Sequence, residues 1–575
     1  MSVGKFIRLG VSLVVAVVFG LLINYLVMPA MTIHSTGFWW FIGGELIIFA
    51  VCYFISSAIA DDLDEAPAMG IAIAAAIGVW LVFFIITAII GSQMANAYDY
   101  QKVATVEDNT SFEEDFLEVE TDNLIIVDVA TAKKLGDRTL GTIPNSSWYE
   151  VDDEYNLILI NGEEYRISPI NYGGFWKYNK AKEAGIPGYV IVNAKNQESK
   201  LVILDEPMKY SPSAYWRYDL TRNIHNDYPT YILDKSFFEV DDEGNPYWIT
   251  GVKTPTIGLR GGMVISSVII TNAVTGENTE YELDKLPEWV DHTMSVSYLM
   301  ELAKWHYCYT EGFINFSNTN VYRTSYYYKG SNSESSKDNE ANKYTPFEGY
   351  NSIVAKDGSI WFYTGITPAN SAETNVGFLL ISPRTGEMKF YAASGAEESS
   401  AQIAAEGLVS NMKYSASFPT IVNIGGEETY FMTLKDGGGL VQRYAFCNMK
   451  NYAKCVCATT IKEAINLYKI EIGFAKDEVD NTSNTEKDDQ QNTVKENREY
   501  KDATGKVTFV SEAQIDGYTY YYFVIENDES MIFMSSIENS NKQPMKLQID
   551  TEVTIQYYES IKEDGIGIVT KIKFE

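Results

Sequence analysis

Apolar positions open the chain in three long blocks. Residues 6–27, 38–60 and 69–90 each run about 22 residues and are almost free of charge. At ~1.5 Å per helical residue, each block crosses the ~30 Å hydrocarbon layer. Backbone groups in lipid must satisfy one another, so the pattern predicts three transmembrane helices. A signal peptide is the alternative for the first block, but no small-residue cleavage site follows it and two further spans do. Lys5 and Arg8 precede the first span, and the 29–37 connection has neither Lys nor Arg. That bias puts the N-terminus in the cytoplasm and residues 93–575 outside it, in a multi-pass protein of the cell membrane.

Beyond residue 92 the pattern turns to short alternating runs bounded by Asn, Gly, Asp and Pro, which reads as strands. Residues 157–160 and 163–167 flank Asn161-Gly162, a pair suited to the positive φ angles of a tight hairpin. Two acidic turns echo each other, Asp152-Asp153-Glu154 and Asp241-Asp242-Glu243. Clustered carboxylates suit Ca²⁺, but neither copy has the alternating spacing of a calcium loop, so solvated hairpin turns are expected.

A second repeat joins three segments: 189–198 (Tyr189 to Glu198), 268–277 (Val268 to Glu277) and 378–387 (Phe378 to Glu387). Each is an apolar strand, a turn near Thr-Gly-Glu and a second strand. Behind the third copy, residues 396–411 read as a helix with Ile403, Leu408 and Ala positions on its buried stripe. This unit resembles the PepSY-type modules of bacterial envelope proteins, with their strand, D-x-x-T-G-E, strand signature. The Asp of that signature is Asn272 or Ser382 here. The whole chain also resembles bacterial membrane-anchored envelope proteins with a few N-terminal spans and a large outer domain. The resemblance implies a location and no activity.

Residues 476–504 are polar and nearly devoid of large apolar side chains, which reads as a linker. Five strand patterns follow, at 506–511, 518–525, 531–535, 552–558 and 567–574, as in a small OB-like or SH3-like barrel. Strand alternation puts Tyr518, Tyr520 and Tyr522 on one face, a binding platform or a docking surface. The expected fold class is an α-helical membrane anchor of three transmembrane helices plus a large α+β, β-rich extracytoplasmic region. That region holds repeated hairpin/helix modules and ends in a small β-barrel. The expected domains are a 1–92 anchor, a 93–180 juxtamembrane α+β segment, a 181–474 repeated region, a 475–504 linker and a 505–575 barrel.

Charge narrows the partners. The chain has 575 residues and a net charge of −32. The first 92 residues carry two basic and five acidic side chains, which leaves −29 on the outer region. Nucleic acid is therefore not an expected partner, because its binders need a basic face. The C-terminal segment, with six basic and twelve acidic residues, lacks the groove of an oligonucleotide barrel.

The common catalytic signatures are missing: there is no G-x-S-x-G, no G-K-[ST] loop and no H-E-x-x-H. No cofactor and no metal site is expected. Cys447, Cys455 and Cys457 cluster, with Cys308 elsewhere; buried free thiols are the expected state, although a disulfide is allowed outside the cytoplasm. The best enzymatic pair is Glu288 with Asp291, since a glycan-cleaving enzyme needs two carboxyls ~5–10 Å apart beside aromatic residues. Within the membrane, Asn24 and Glu45 fall at similar depth on antiparallel spans. An intramembrane carboxyl is a functional candidate or a polar tie between helices. Small residues Gly70, Ala74 and Gly78 recur every four positions on the third span, as in close helix packing.

The expectation is a membrane-anchored binding or scaffold protein of the cell envelope, embedded in the lipid bilayer, whose outer domains take another envelope protein or a wall polymer. The alternatives are the glycan-cleaving enzyme and an accessory subunit of a membrane transport complex.

Overall fold

A computed structural model of the full chain describes residues 3–574 apart from 60–65, 109, 117, 120, 122–123, 142–144, 316–319, 328–346, 370–373, 475–500, 516–517, 527, 537–545 and 560–565. Two compact units emerge, Met1–Val479 and Asp480–Glu575. The expected linker lies almost wholly outside the described residues.

Three helices, Val3–Val27, Thr36–Ile59 and Ala66–Ile90, are long and apolar enough to cross a membrane. The second and third pack tightly at Gly43, where a Cβ would stand 2.3 Å from the Trp80 ring. Gly70 meets Phe54, but Gly78 faces open space, so the expected small-residue stripe is not what sets the packing. The far ends of the first and third spans touch the rest of the unit. Met31 N–H donates to the Pro229 carbonyl, the His34 ring pairs with the Leu259 carbonyl, and Arg260 donates to the Phe84 carbonyl and Thr87. The connection after the first span and the end of the third therefore lie on the side of the large domain.

Among the described residues that domain has four large antiparallel sheets, each a meander of four principal strands, and a small pairing of Tyr326–Tyr327 with Phe347–Glu348. The first runs through Asn156–Ile160, Glu163–Tyr172, Ile186–Asn193 and Ser199–Met208, with Tyr149–Val151 added. The second comprises Ile232–Val240, Pro246–Ile257, Gly261–Asn272 and Asn278–Glu282. The third comprises Asn351–Val354, Ile360–Pro368, Thr374–Ile381 and Met388–Ala396, with Tyr322–Thr324 and a parallel Val106–Glu107 at its margins. The fourth comprises Thr420–Ile424, Glu427–Lys435, Val441–Asn448 and Cys455–Ala458, with Ser415–Ala416 added.

Successive strand residues point to opposite faces, and here both faces are buried. Tyr189 packs toward the second sheet and its neighbour Val190 toward the fourth. Phe362 packs toward the second sheet and Tyr363 toward the fourth. Cores shared by sheets one and two, two and three, three and four, and four and one close a ring, in plan like a four-bladed propeller.

Every seam holds at least one helix. Leu220–Asp227 sits in the first, Val296–Cys308 in the second and Glu398–Leu408 in the third, while Val129–Leu140 and Ile461–Ile472 share the fourth. Four of these helices start on a side chain that accepts an N–H three residues on: Asp128, Asp219, Ser295 and Thr460.

This arrangement corrects the expected fold class. The repeating module is a four-stranded sheet with a helix wedged against the next sheet, not a hairpin backed by its own helix. The helix after the third repeat also differs from the expected buried stripe. Ile403 and Leu408 are exposed, while Ala401, Ala405 and Val409 are buried. A helix pressed between two sheets leaves room only for small side chains on its inner faces.

The second unit has five strands: Lys501–Ile515, Tyr518–Ile525, Asp528–Ser536, Glu552–Glu559 and Ile566–Phe574. The first is longer than expected and starts inside the assigned linker. Its residues Lys501–Lys506 pair with Glu552–Glu559, and its later residues pair with Tyr518–Ile525. The third strand pairs in parallel with the fifth. Val507, Phe523, Ile525, Phe533, Val553 and Ile555 form its core.

Candidate functional site

A cleft of about 530 Å³ opens in the first unit between the third and fourth sheets, with Glu164 of the first sheet in its wall. Two first strands frame it, Asn351–Val354 and Thr420–Ile424. Each pairs within its sheet on one side only, so their other edges face the opening. The edge of Thr420–Ile424 is partly occupied: Val119 N–H donates to the Asn423 carbonyl, and the Asn423 amide donates to the Phe116 carbonyl. Among the described residues no strand pairs with the outer edge of Asn351–Val354. A sheet edge presents backbone N–H and C=O groups to a further strand, although here the Ser352 N–H already donates to Asn351 Oδ1.

The floor of the cleft is aromatic and rigid. Tyr391 stacks on Phe378, meets Phe116 edge to face at 5.5 Å and donates its hydroxyl to Asp115 Oδ2 at 2.8 Å. Trp361 is held by its own N–H on Ser359 Oγ, and Lys389 Nζ lies 5.1 Å from its ring centre. The rim is polar, with Lys356 and Asp357 exposed beside Asp115 and Glu118. Hydrogen bonds from Ser359 hold the Asp357 carboxyl below its usual range. No His or Cys lines this cleft. The arrangement is fitted to hold an extended chain by its backbone and a few side chains.

A second polar cluster lies deeper. Glu239, the penultimate residue of its strand, accepts hydrogen bonds from the backbone N–H of Asp291 at 2.9 Å and of His292 at 2.7 Å, and pairs with His292 Nδ1 at 2.9 Å. Asp291 Oδ2 in turn accepts from the Leu159 N–H at 2.7 Å. Burial pushes Glu239 up to about 8 and His292 down to about 4; burial, then the nearby Glu239, pushes Asp291 up to about 7. Arg384, from a turn of the third sheet, reaches the carbonyls of Leu286, Glu288 and Val290. The cluster ties the first three sheets together.

The two carboxyls singled out in the sequence therefore have different surroundings. Asp291 is buried and bonded to the first sheet, whereas the Glu288 side chain is exposed. Neither lines the cleft. In the membrane, the Glu45 carboxyl lies against Gly20, where a Cβ would come within 3.0 Å of it. Asn24 is one turn further along the same helix. Glu45 Oε1 and Asn24 Oδ1 are buried and do not bond each other or any other described group. Tyr522 is half-buried, and the side chains of Tyr518 and Tyr520 lie outside the described residues.

Cys447 and Cys455, directly opposed on neighbouring strands, form a disulfide, while Cys52, Cys308 and Cys457 are free. The expectation of free thiols is corrected for that pair. Register alone brings the two sulfurs together, and eight residues of separation gave no sign of it. The acidic turns use their carboxylates on backbone N–H groups. Asp241 accepts from the N–H groups of Glu243 and Asn245, and Asp242 accepts from Asn161 N–H. Among the described residues, no group of three or more His, Cys, Asp or Glu side chains is placed to hold a metal ion.

The repeated turns are equivalent in detail. Asn193, Asn272 and Ser382 each accept, through the side-chain oxygen, a backbone N–H two or three residues on. Each also donates its own N–H to the carbonyl of the Glu five residues later. A fourth copy went unread. Asn448 plays the same part in the fourth sheet, accepting from Asn451 N–H and donating to the Lys454 carbonyl. Its turn has no Thr-Gly-Glu, so only the Asn after an apolar strand could have signalled it.

No protein-family model matches this chain, and no curated protein matches it closely enough to count as a relative.

Proposed function

We propose that this multi-pass membrane protein is an extracytoplasmic binding protein whose cleft takes an extended peptide segment of another envelope protein. The observation that carries the reading is the open edge of Asn351–Val354 over a rigid aromatic floor. Such an edge recruits a peptide as an added strand, with main-chain bonds supplying affinity and side-chain pockets supplying choice. The rim acids Asp115 and Asp357 stand exposed, while Glu118 is paired with Lys469, and these two carboxylates favour a segment with a basic residue. A wall polymer is less well served, because Trp361 and Tyr391 are buried and offer no open ring face for a sugar. The outward orientation is supported by Lys5 and Arg8 before the first span and by the Cys447–Cys455 disulfide, which suits an oxidising compartment.

The test is to pan a display library of random peptides on the full chain in nanodiscs. Enriched basic peptides that are lost when Ala355→Trp fills the cleft support the reading. Enrichment unaffected by that change, or binding only of wall-polymer fragments, overturns it. A transport-accessory role has one observation in its favour, the unpartnered Glu45 and Asn24 oxygens between the first two spans. Co-purification of a channel or transporter in gentle detergent, lost in Glu45→Leu and kept in Glu45→Gln, would favour it over the binding reading.

A further inference from the structure

The outer region is strongly acidic, yet one exposed patch on it is aromatic and basic. The helix Phe175–Ala181 presents Trp176, 79% exposed, and the neighbouring loop presents Trp216, 48% exposed, and Tyr215. Phe175 joins them, with its ring centre 5.3 Å from Trp176, 5.2 Å from Tyr215 and 6.5 Å from Trp216. The Tyr178 hydroxyl donates to the Tyr215 carbonyl and fastens the loop to the helix. Trp216 has φ +60°, a left-handed conformation that a bulky residue rarely adopts. A strained backbone that carries a large apolar ring into water has no return from packing within the chain.

Charge and position say what covers it. Residues 175–182 hold Lys177, Lys180 and Lys182 and no acid, and Arg217 follows Trp216. The loop runs directly into Leu220–Asp227, whose Arg222 donates to the Tyr25 carbonyl in the last turns of the first span and lies 4.1 Å from the Tyr25 ring centre. Arg222 lies six positions after Trp216, which bounds their separation at roughly 20 Å. The patch thus lies beside the outer end of a membrane-spanning helix. Trp and Tyr rings mixed with Lys and Arg are the composition of the membrane–water interface.

We propose that Phe175, Trp176, Tyr215 and Trp216 insert into the interfacial zone of the bilayer that holds the three spans, with Lys177, Lys180 and Arg217 against anionic headgroups. The contact adds a peripheral foot to the helical anchor. It fixes the tilt of the ring above the membrane, and so the height at which the cleft is presented.

The test uses the full chain in nanodiscs of phosphatidylcholine and phosphatidylglycerol, with and without bromine on the upper acyl carbons. Tryptophan emission is compared between the wild type and the Trp176→Phe/Trp216→Phe double variant, whose fold is checked by circular dichroism. The emission that the variant loses should be quenched about twofold or more by brominated lipid. That quenching should weaken when phosphatidylglycerol is left out and in Lys177→Glu/Lys180→Glu/Arg217→Glu. If the lost emission is insensitive to brominated lipid and open to aqueous iodide, the patch faces water and the proposal fails. Burial of the patch by a partner protein would give that same result in nanodiscs.

Discussion

At the residue scale the informative group is Glu239. Its carboxyl is fully buried, and burial outweighs the pull of the Asp291 and His292 N–H donors, so its pKa rises to about 8 from an ordinary 4.5. The folded chain then keeps a proton that the unfolded chain has released, and stability falls as pH climbs between those two values. Asp291, pushed up to about 7, acts in the same direction. In Glu239→Gln the amide NH₂ meets an N–H donor, so the variant starts less stable near pH 6. Its gap to wild type should narrow by about 1–2 kcal/mol toward pH 8 in urea titrations of the full chain. A gap that stays constant would mean that the carboxyl is ionised throughout. Sequence alone pointed to Asp291 through its neighbour Glu288. The partner that matters, Glu239, comes from about 50 residues earlier and meets Asp291 and the adjacent His292 only in the fold.

At the element scale the helices that wedge the sheets depend on their caps. Asp128 both caps Val129–Leu140 and pairs with Lys435 of the fourth sheet at 2.5 Å. Burial alone would raise its pKa, but Lys435 and the Thr131 donors outweigh burial and hold it below the usual range. Its stabilising contribution is present above the unfolded carboxyl pKa and is lost as pH falls. Asp128→Asn should cost about 2–3 kcal/mol at neutral pH, since the pair is only partly shielded from water. The cost should shrink below about pH 4, and a pH-independent deficit would assign the loss to packing. The repeated turns make a milder test. Asn272→Ala removes an acceptor for two N–H groups and should lower stability by about 1 kcal/mol, and Asn448→Ala in the unread fourth copy by a similar amount.

At the scale of the whole molecule the membrane topology is the decisive test. The loop after the first span and the end of the third span both contact the large domain, as alternating spans require. Protease added to spheroplasts should remove the domain and leave the spans. Full protection until lysis would place the domain, and the proposed binding role, in the cytoplasm. In non-reducing gels the accessible domain should also carry the Cys447–Cys455 bond, whereas Cys308 and Cys457 should remain open to alkylation after unfolding.

Local signals were enough for the spans, for the Asn161-Gly162 hairpin with φ +51° and +81°, and for three of the four repeated turns. Each rests on hydrophobic length, backbone preference or short-range hydrogen bonding, and these are written within about 25 residues of chain. The ring was not legible, because a strand with two buried faces looks the same whichever sheets cover it. Nor were the small buried faces of the wedged helix, the Cys447–Cys455 pairing, the Glu239 cluster or the cleft. All of these depend on which strands become neighbours across hundreds of residues, and that choice is made only when four sheets close on one another and bury both faces of each.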